Sequence, residues 1–343
     1  MFIAPEAFSV CEEVNNPGWD LSSFGPWTLG LIMAGEIVAL AGGIGAARFL
    51  EGLVTAAPPE RVVIIGNTGD DLELHGLYIC PDLDTVAYTL SGNVNPERGW
   101  GIAGDTFSCL EALSRLGAET WFRLGDRDLA THLFRTELLR SGLPLSEVTR
   151  RIAEALGVRA RLLPATDQRC RTRIQTDAGV LDFQVYFVQR KAEDRVLDII
   201  FDGAGQARPA PGVLEAIHGA SVVIVCPSNP LISIGPILAV PGIRQAVCET
   251  GARVAAVSPI VVGRAIKGPT DKMMRSLGLR PSAAQVAELY RDFIDVFVLD
   301  QVDEAAAGGI EELGIKTVST DTIMKDRQAK VSLALATLRA LEP

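Results

Sequence analysis

Three acidic loops and one glycine-rich loop carry the groups in this sequence that are capable of chemistry. Gly42-Gly43-Ile44-Gly45-Ala46-Ala47-Arg48 follows an apolar run and opens a helical pattern. Glycines there let the backbone come close to a phosphate, and the free N–H groups and helix dipole favour the anion. The order is neither GxGxxG nor GxxxxGK[ST], so the loop reads either as a phosphate cradle or as a tight strand–helix turn. Asn67-Thr68-Gly69-Asp70-Asp71 follows a second apolar run. Two adjacent carboxylates could hold Mg²⁺ with water completing its shell, or cap a helix, or face solvent. Asp82 and Asp84 have D-x-D spacing, which in an extended segment puts both carboxylates on one side. Asp126 and Asp128 form the third acidic cluster, and Asp128 also suits an N-cap before a helix at Ala130. Ser228 and Asn229, Ser258, and Lys267 lie in later loops and offer donors suited to a base, a ribose or a phosphate. His75 lies between acidic loops, where it reads as a site residue or a structural one. No Ser stands in G-x-S-x-G, so nucleophilic-serine hydrolysis has no support.

The elements that position these groups alternate as β and α. Segments 37–41, 61–66, 120–124, 222–226, 253–257 and 296–300 read as strands, mostly apolar runs of the kind buried in parallel sheets. Segments 46–53, 106–116 (ended by Gly117) and 283–293 read as helices. This rhythm predicts an α/β fold, a doubly wound and mostly parallel Rossmann-like sheet. Ligands of such sheets gather at the carboxyl ends of the strands, where the polar loops fall. Helix formers at 130–156, broken by Gly142-Leu143-Pro144, are followed by alternating segments at 159–163, 171–176 and 180–189, with a turn at 177–179. Residues about 130–205 therefore read as a helical and β-hairpin insertion in a domain spanning 33–343.

Composition bounds the function. The 343 residues are 48% hydrophobic and carry a net charge of −10, which opposes a nucleic-acid partner. Six cysteines with no CxxC pair and only three histidines disfavour zinc and fit reduced thiols in the cytoplasm. Residues 1–32 lack the basic residues of a secretory or transit signal, and the apolar stretch 27–41 is too short and interrupted to span a membrane. They read as an extension outside the fold, or as an arm laying Trp19 and Trp27 on a neighbouring surface.

From Glu36 to about Leu338 the chain resembles the 2-phospho-L-lactate transferase family of coenzyme F420 biosynthesis, which includes phosphoenolpyruvate-using members. The resemblance rests on an ordered set of motifs: GGIGAAR at 42–48, NTGDD at 67–71, CPDLDTVAY at 80–88, WGIAGDT at 100–106, LGDRDLATH at 124–132, LP at 163–164, PSNPLISIGPIL at 227–238, VSPI at 257–260, KGP at 267–269 and YRDFIDVFVLD at 290–300. It implies transfer of a phospho-three-carbon acid (phospholactate, phosphoenolpyruvate or phosphoglycerate) from a guanosine diphospho-linked donor to the ribitol hydroxyl of the deazaflavin Fo. GMP is released. It also implies Mg²⁺ as cofactor and a homodimer. By this resemblance Asp70, Asp71 and Asp84 surround the metal and the attacking hydroxyl, and Asp84 and Arg123 contact Fo. Gly42, Gly43, Gly45, Asn67, Ser228, Asn229 and Lys267 would hold nucleotide and phosphates. Two other classes compete. A nucleotide-sugar-binding regulator of the gluconeogenesis-factor type lacks the PDLDT and GDRD segments, and a dinucleotide oxidoreductase requires GxGxxG.

Overall fold

A computed structural model describes residues 35–342. Its strands are β1 (Glu36–Ala41), β2 (Val62–Gly66), β3 (Leu72–Leu74), β4 (Leu77–Ile79), β5 (Arg161–Pro164), β6 (Arg171–Thr176), β7 (Gly179–Asp182), β8 (Val196–Asp202), β9 (Ala220–Val225), β10 (Arg253–Val257), β11 (Ile260–Val261), β12 (Arg264–Ala265), β13 (Val296–Asp300) and β14 (Lys316–Thr320). Seven of them form one sheet in the order β14-β13-β10-β9-β1-β2-β5, with every pairing parallel. The chain starts in the middle, builds outward through β2 to β5, then returns to build outward from β9. The order of a doubly wound sheet thus reverses between β1 and β9, and a crevice opens there beyond their carboxyl ends.

The helices are α1 (Gly43–Ala56), α2 (Pro81–Leu90), α3 (Ser108–Arg115), α4 (Asp126–Arg140), α5 (Leu145–Ala155), α6 (Val213–Gly219), α7 (Gly235–Ala239), α8 (Ile243–Glu249), α9 (Thr270–Ser276), α10 (Ala283–Tyr290), α11 (Ala307–Glu311) and α12 (Arg327–Ala340). Successive strand residues point to opposite faces, so the two faces bury different sets. Ile37, Ala39, Ile64 and Ile224 pack under Phe49 and Leu53 of α1, Val86 of α2 and Leu338 of α12. Val38, Leu40, Ile65 and Val223 pack under Ile217 of α6, Val247 of α8 and Val286 of α10. Burial on both faces is why these strands carry unbroken Val/Ile runs rather than alternation. Among the described residues no single helix is long and apolar enough to cross a membrane.

Four local expectations are corrected. Residues 120–124 form no strand. They run irregularly between α3 and α4, and no strand lies beside them to supply a ladder. The segment expected as hairpin at 159–163 instead supplies β5, the edge of the main sheet, registered Val63 to Arg161 through Gly66 to Pro164. The stretch 130–205 therefore contains an edge of the main sheet as well as a separate antiparallel sheet, β7-β6-β8. In 180–189 the strand stops at Asp182, and Val185–Gln189 is a π-helical turn that buries Tyr186 with Ile174, Phe183 and Val196. Finally, Asp82 and Asp84 are helical, not extended, because Pro81 occupies the first turn of α2, where its fixed φ and missing N–H are tolerated. The extension expected at residues 1–32 lies outside the described residues.

Candidate functional site

A cleft of about 600 Å³ opens at the β1/β9 reversal, a volume suited to a nucleotide-sized ligand. One part is built from backbone. Gly42, Gly43 and Gly45 line it at the N-terminus of α1, whose first turn carries no acid. Gly43 has φ +75°, the left-handed region open to glycine. A Cβ at Gly45 would lie 2.3 Å from the Pro227 carbonyl oxygen, so only glycine lets α1 dock against the loop after β9. Ser228, Ser258, Lys267 and Thr322 line the same cleft. The Ser228 Oγ is buried with no hydrogen-bond partner among the described residues, which marks it for a ligand. The Lys267 ammonium donates to the Arg98 carbonyl at 3.2 Å, and burial, then the charge of Arg48, lowers its pKa. Asn229 lines the cleft, but its side-chain oxygen is spent on the Leu231 and Ile232 amides, starting a π-helical turn.

The acids separate into two groups. Asp70, after β2, and Asp82, in the first turn of α2, lie at the floor by the glycine loop. Asn67 sits behind them fully buried. Its Nδ2 donates to Asp82 Oδ2 at 2.9 Å and to the Ile232 carbonyl at 3.2 Å, and its Oδ1 accepts from the Gly69 amide. Burial pushes the Asp82 carboxyl up to about 6, while bonds from Asn67 and the Gly43 amide draw it down. Asp70 is raised well above the usual carboxylate range by burial and then by the charge of Asp82. Its Oδ1 is buried and unpartnered among the described residues. Two close, under-compensated carboxylates are what a hard divalent cation requires of a protein when substrate phosphates and water supply its other ligands.

Asp71 and Asp84, expected beside Asp70, turn elsewhere. Asp71 does not line the cleft. Its Oδ2 accepts from the Tyr78 hydroxyl at 3.2 Å and the Cys80 thiol at 3.4 Å, with Arg171 at 3.9 Å. Burial raises it to about 7 against the pull of Arg171. Asp84 lines the cleft and is gripped by both terminal nitrogens of Arg135. Residues two apart on a helix point about 200° apart, which sends Asp82 to the glycine loop and Asp84 to α4. The described residues accordingly hold no cluster of three or more side chains able to ligate a metal. The Asp70–Asp71–Asp84 set does not fit Mg²⁺, and Asp70 with Asp82 does.

Aromatic and charged side chains complete the lining. Trp100, Trp121, Phe122, Phe183 and Phe187 face the cleft together with Arg123, whose guanidinium lies over the Phe107 ring at 4.3 Å. Asp126 and Asp128 do not act as a pair. Asp126 accepts from the Ser108 and Cys109 amides and so caps α3. The amides of Arg127 and Asp128 are taken by Asp105 instead, so Asp128 is not the cap of α4. Its Oδ1 accepts from the Tyr88 hydroxyl at 2.7 Å. His75 sits in the β3–β4 turn with φ 53° and does not line the cleft. The histidine of the site is His132, which sequence reasoning passed over along with Arg135 and Tyr88. The available signal was spacing, since Asp128, His132 and Arg135 fall at i, i+4 and i+7 on one face of α4.

Comparison with known proteins places the chain in a family. The family described as "2-phospho-L-lactate transferase CofD" matches residues 37–338. A phosphoenolpyruvate transferase of Streptomyces griseus is 46% identical over 90% of this chain and 98% of its own length. One of Thermobifida fusca is 43% identical over 80% and 90%. A 2-phospho-L-lactate transferase of Methanosarcina mazei is 37% identical over 89% of this chain and 100% of its own. In structure the chain is similar to a UPF0052-family protein of Bacillus halodurans (TM-score 0.59, 17% identity, 89% of this chain and 98% of that one), a likeness of fold. The chain belongs to the 2-phospho-L-lactate transferase family and is a transferase.

Proposed function

We propose that the protein moves a phosphoenolpyruvyl group from a guanosine diphospho-linked donor to the ribitol hydroxyl of Fo, in the biosynthesis of coenzyme F420, with release of GMP. The observation that carries this reading is the lining of the cleft. A glycine loop suited to a diphosphate, the acids Asp70 and Asp82, and aromatic side chains with the Asp84 and Asp128 carboxylates, suited to a planar ring with a polyol tail, face one cavity. The relatives at 41–46% identity are named for phosphoenolpyruvate and those at 37% for phospholactate, which favours the former acid.

The chain's residues divide the work. The loop at Gly42 and Gly45 faces the donor phosphates, the Gly43 amide being held by Asp82, and Ser228 and Lys267 add a hydroxyl and a cation. Arg123 and Trp121 face the acceptor ring. Placing donor and acceptor in one cleft supplies the proximity on which phosphoryl transfer depends. The acceptor oxygen attacks the phosphorus that carries the acid, and the bond from that phosphorus to the oxygen of GMP breaks. The hydroxyl proton leaves to solvent as the new bond to phosphorus forms. Asp70 and Asp82 would hold Mg²⁺, which when bound would neutralise charge on the phosphates.

A mass-spectrometric assay tests this. Purified protein with Fo, Mg²⁺ and each guanosine diphospho-linked acid in turn should give a phosphodiester and GMP, fastest with the phosphoenolpyruvyl donor. Absence of product with all three donors would overturn the reading, and a faster phospholactyl donor would overturn the choice of acid.

A further inference from the structure

Asp84 and Asp128 face the cleft and are held by residues that the transfer itself does not use. Arg135 is 2% exposed and is the largest side chain so deeply buried. Its NH1 donates to Asp84 Oδ2 at 3.0 Å and its NH2 to Asp84 Oδ1. NH1 also lies 3.2 Å from His132 Nδ1. A guanidinium has donors only, so this contact requires His132 Nδ1 to accept. Its Nε2 lies 3.3 Å from Asp128 Oδ1, a close contact outside hydrogen-bond geometry, and is otherwise unpartnered among the described residues. Asp128 is buried as well and takes the Tyr88 hydroxyl on the same oxygen. Burial works to raise its pKa, yet His132, Tyr88 and Arg135 outweigh that and hold it below the usual range. One chain of contacts, Asp84–Arg135–His132–Asp128–Tyr88, thus runs along the wall of the cleft. Asp84, Asp128, Tyr88 and His132 all line the cavity, and Arg135 lies behind them.

We propose that Arg135 and His132 are positioning residues that fix Asp84 and Asp128 as a pair of hydrogen-bond acceptors for the hydroxyls of the acceptor's polyol chain. The inference rests on the acceptor reading above and assigns Asp128 and Tyr88 to that subsite. A polyol presents several donors at a spacing set by its carbon chain. Asp84 held by a bidentate fork, and Asp128 held by the Tyr88 hydroxyl with His132 packed against it, give it matching acceptors with no rearrangement on binding. A lysine at 135 would keep the charge but offers a point donor on a flexible stem, so it cannot grip both oxygens of Asp84 and also reach His132. The arrangement therefore acts on the acceptor and not on the donor, whose phosphates lie at the glycine loop.

The test separates the two substrates. Binding of Fo is followed by its deazaflavin fluorescence, and KM for Fo and for the donor is measured for wild type, Arg135→Lys, His132→Asn and Asp128→Asn. Each variant should weaken Fo binding and raise the KM for Fo about tenfold, the scale of one lost charge-assisted hydrogen bond. The KM for the donor should stay within about twofold. His132→Asn with Asp128→Asn should cost less than the product of the single effects, because both act through one chain. His132→Asn and Asp128→Asn remain informative where Arg135→Lys folds poorly. Equal Fo affinity in wild type and all three variants overturns the positioning role, as does a parallel rise in donor KM. Absence of Fo binding by wild type overturns the acceptor assignment itself and the inference with it.

Discussion

Asp82→Asn is the change whose consequence can be worked out most fully. The carboxyl titrates at about 6 in the fold and at 3.8 in the reference state. Each pKa unit corresponds to about 1.4 kcal/mol, so the charged group costs the metal-free fold roughly 3 kcal/mol at neutral pH. The sign follows from proton counts. Below pH 3.8 both states are protonated and the cost is absent. Between 3.8 and about 6 the unfolded chain ionises first, so stability falls as pH rises, and above about 6 the whole cost is present. Asparagine cannot ionise, and its carbonyl can still accept from Asn67, so the variant escapes that cost. In EDTA at pH 7.5 the variant should melt roughly 5 °C higher than wild type, and the gap should close by pH 4. Adding Mg²⁺ should narrow the gap by about half. Wild type gains about 1.4 kcal/mol at tenfold the dissociation constant, and the variant, with one carboxylate of the pair gone, gains little. Thermal unfolding with and without Mg²⁺ at the two pH values reads all of this. A variant less stable than wild type in EDTA at pH 7.5, or one that gains as much from Mg²⁺, would refute the assignment of Asp82.

Three further outcomes are expected. Gly45→Ala would set a methyl carbon 2.3 Å from the Pro227 carbonyl, a backbone contact that no rotamer relieves. It should cost about 1–3 kcal/mol in urea unfolding and raise the KM for the donor before that for Fo. Arg135→Met should leave Asp84 buried without its partner and cost about 3–5 kcal/mol, whereas Arg150→Met, in an exposed pair with Glu147 and Glu154, should change stability by under about 1 kcal/mol. Trp121→Ala should weaken Fo binding about tenfold with donor binding retained, as loss of one stacking face does, and fluorescence titration would show it.

The sheet was legible because burial on both faces writes itself into the chain. Runs such as 61–66, 222–226 and 253–257 are apolar without interruption, and only a parallel sheet covered by helices demands that. The edge was harder to read. Arg161–Pro164 pairs on one side only, and its exposed Arg161 gives it the alternation of a hairpin strand. Residues 120–124 misled for the opposite reason. Trp121 and Phe122 are apolar for the sake of the cleft, not for a sheet. In the site, the glycine loop and Asp70 were readable from position after a strand, while Arg135 and His132 were not. Their partners lie 51 residues away for Arg135 and on the same helix face for His132, and a lone sequence shows helical spacing but not what the face is packed against.

The same contacts account for a phosphate ligand on a chain of net charge −10. Charge matters at a site only where nothing nearby has already taken it up. Asp126 is spent on the amides of α3 and Asp84 on Arg135, while Asp71, with one oxygen facing Tyr78, Cys80 and Arg171 and the other unpartnered among the described residues, lies outside the cleft. Asp70 and Asp82 are the pair by the glycine loop that remains under-compensated, and it is their carboxyls that burial raises beside the loop. A phosphate approaching Gly42–Gly45 therefore meets amides on one side and, on the other, acids whose repulsion is relieved only by a cation or a proton. Donor and divalent cation should consequently bind with positive coupling, each tightening the other by the same factor.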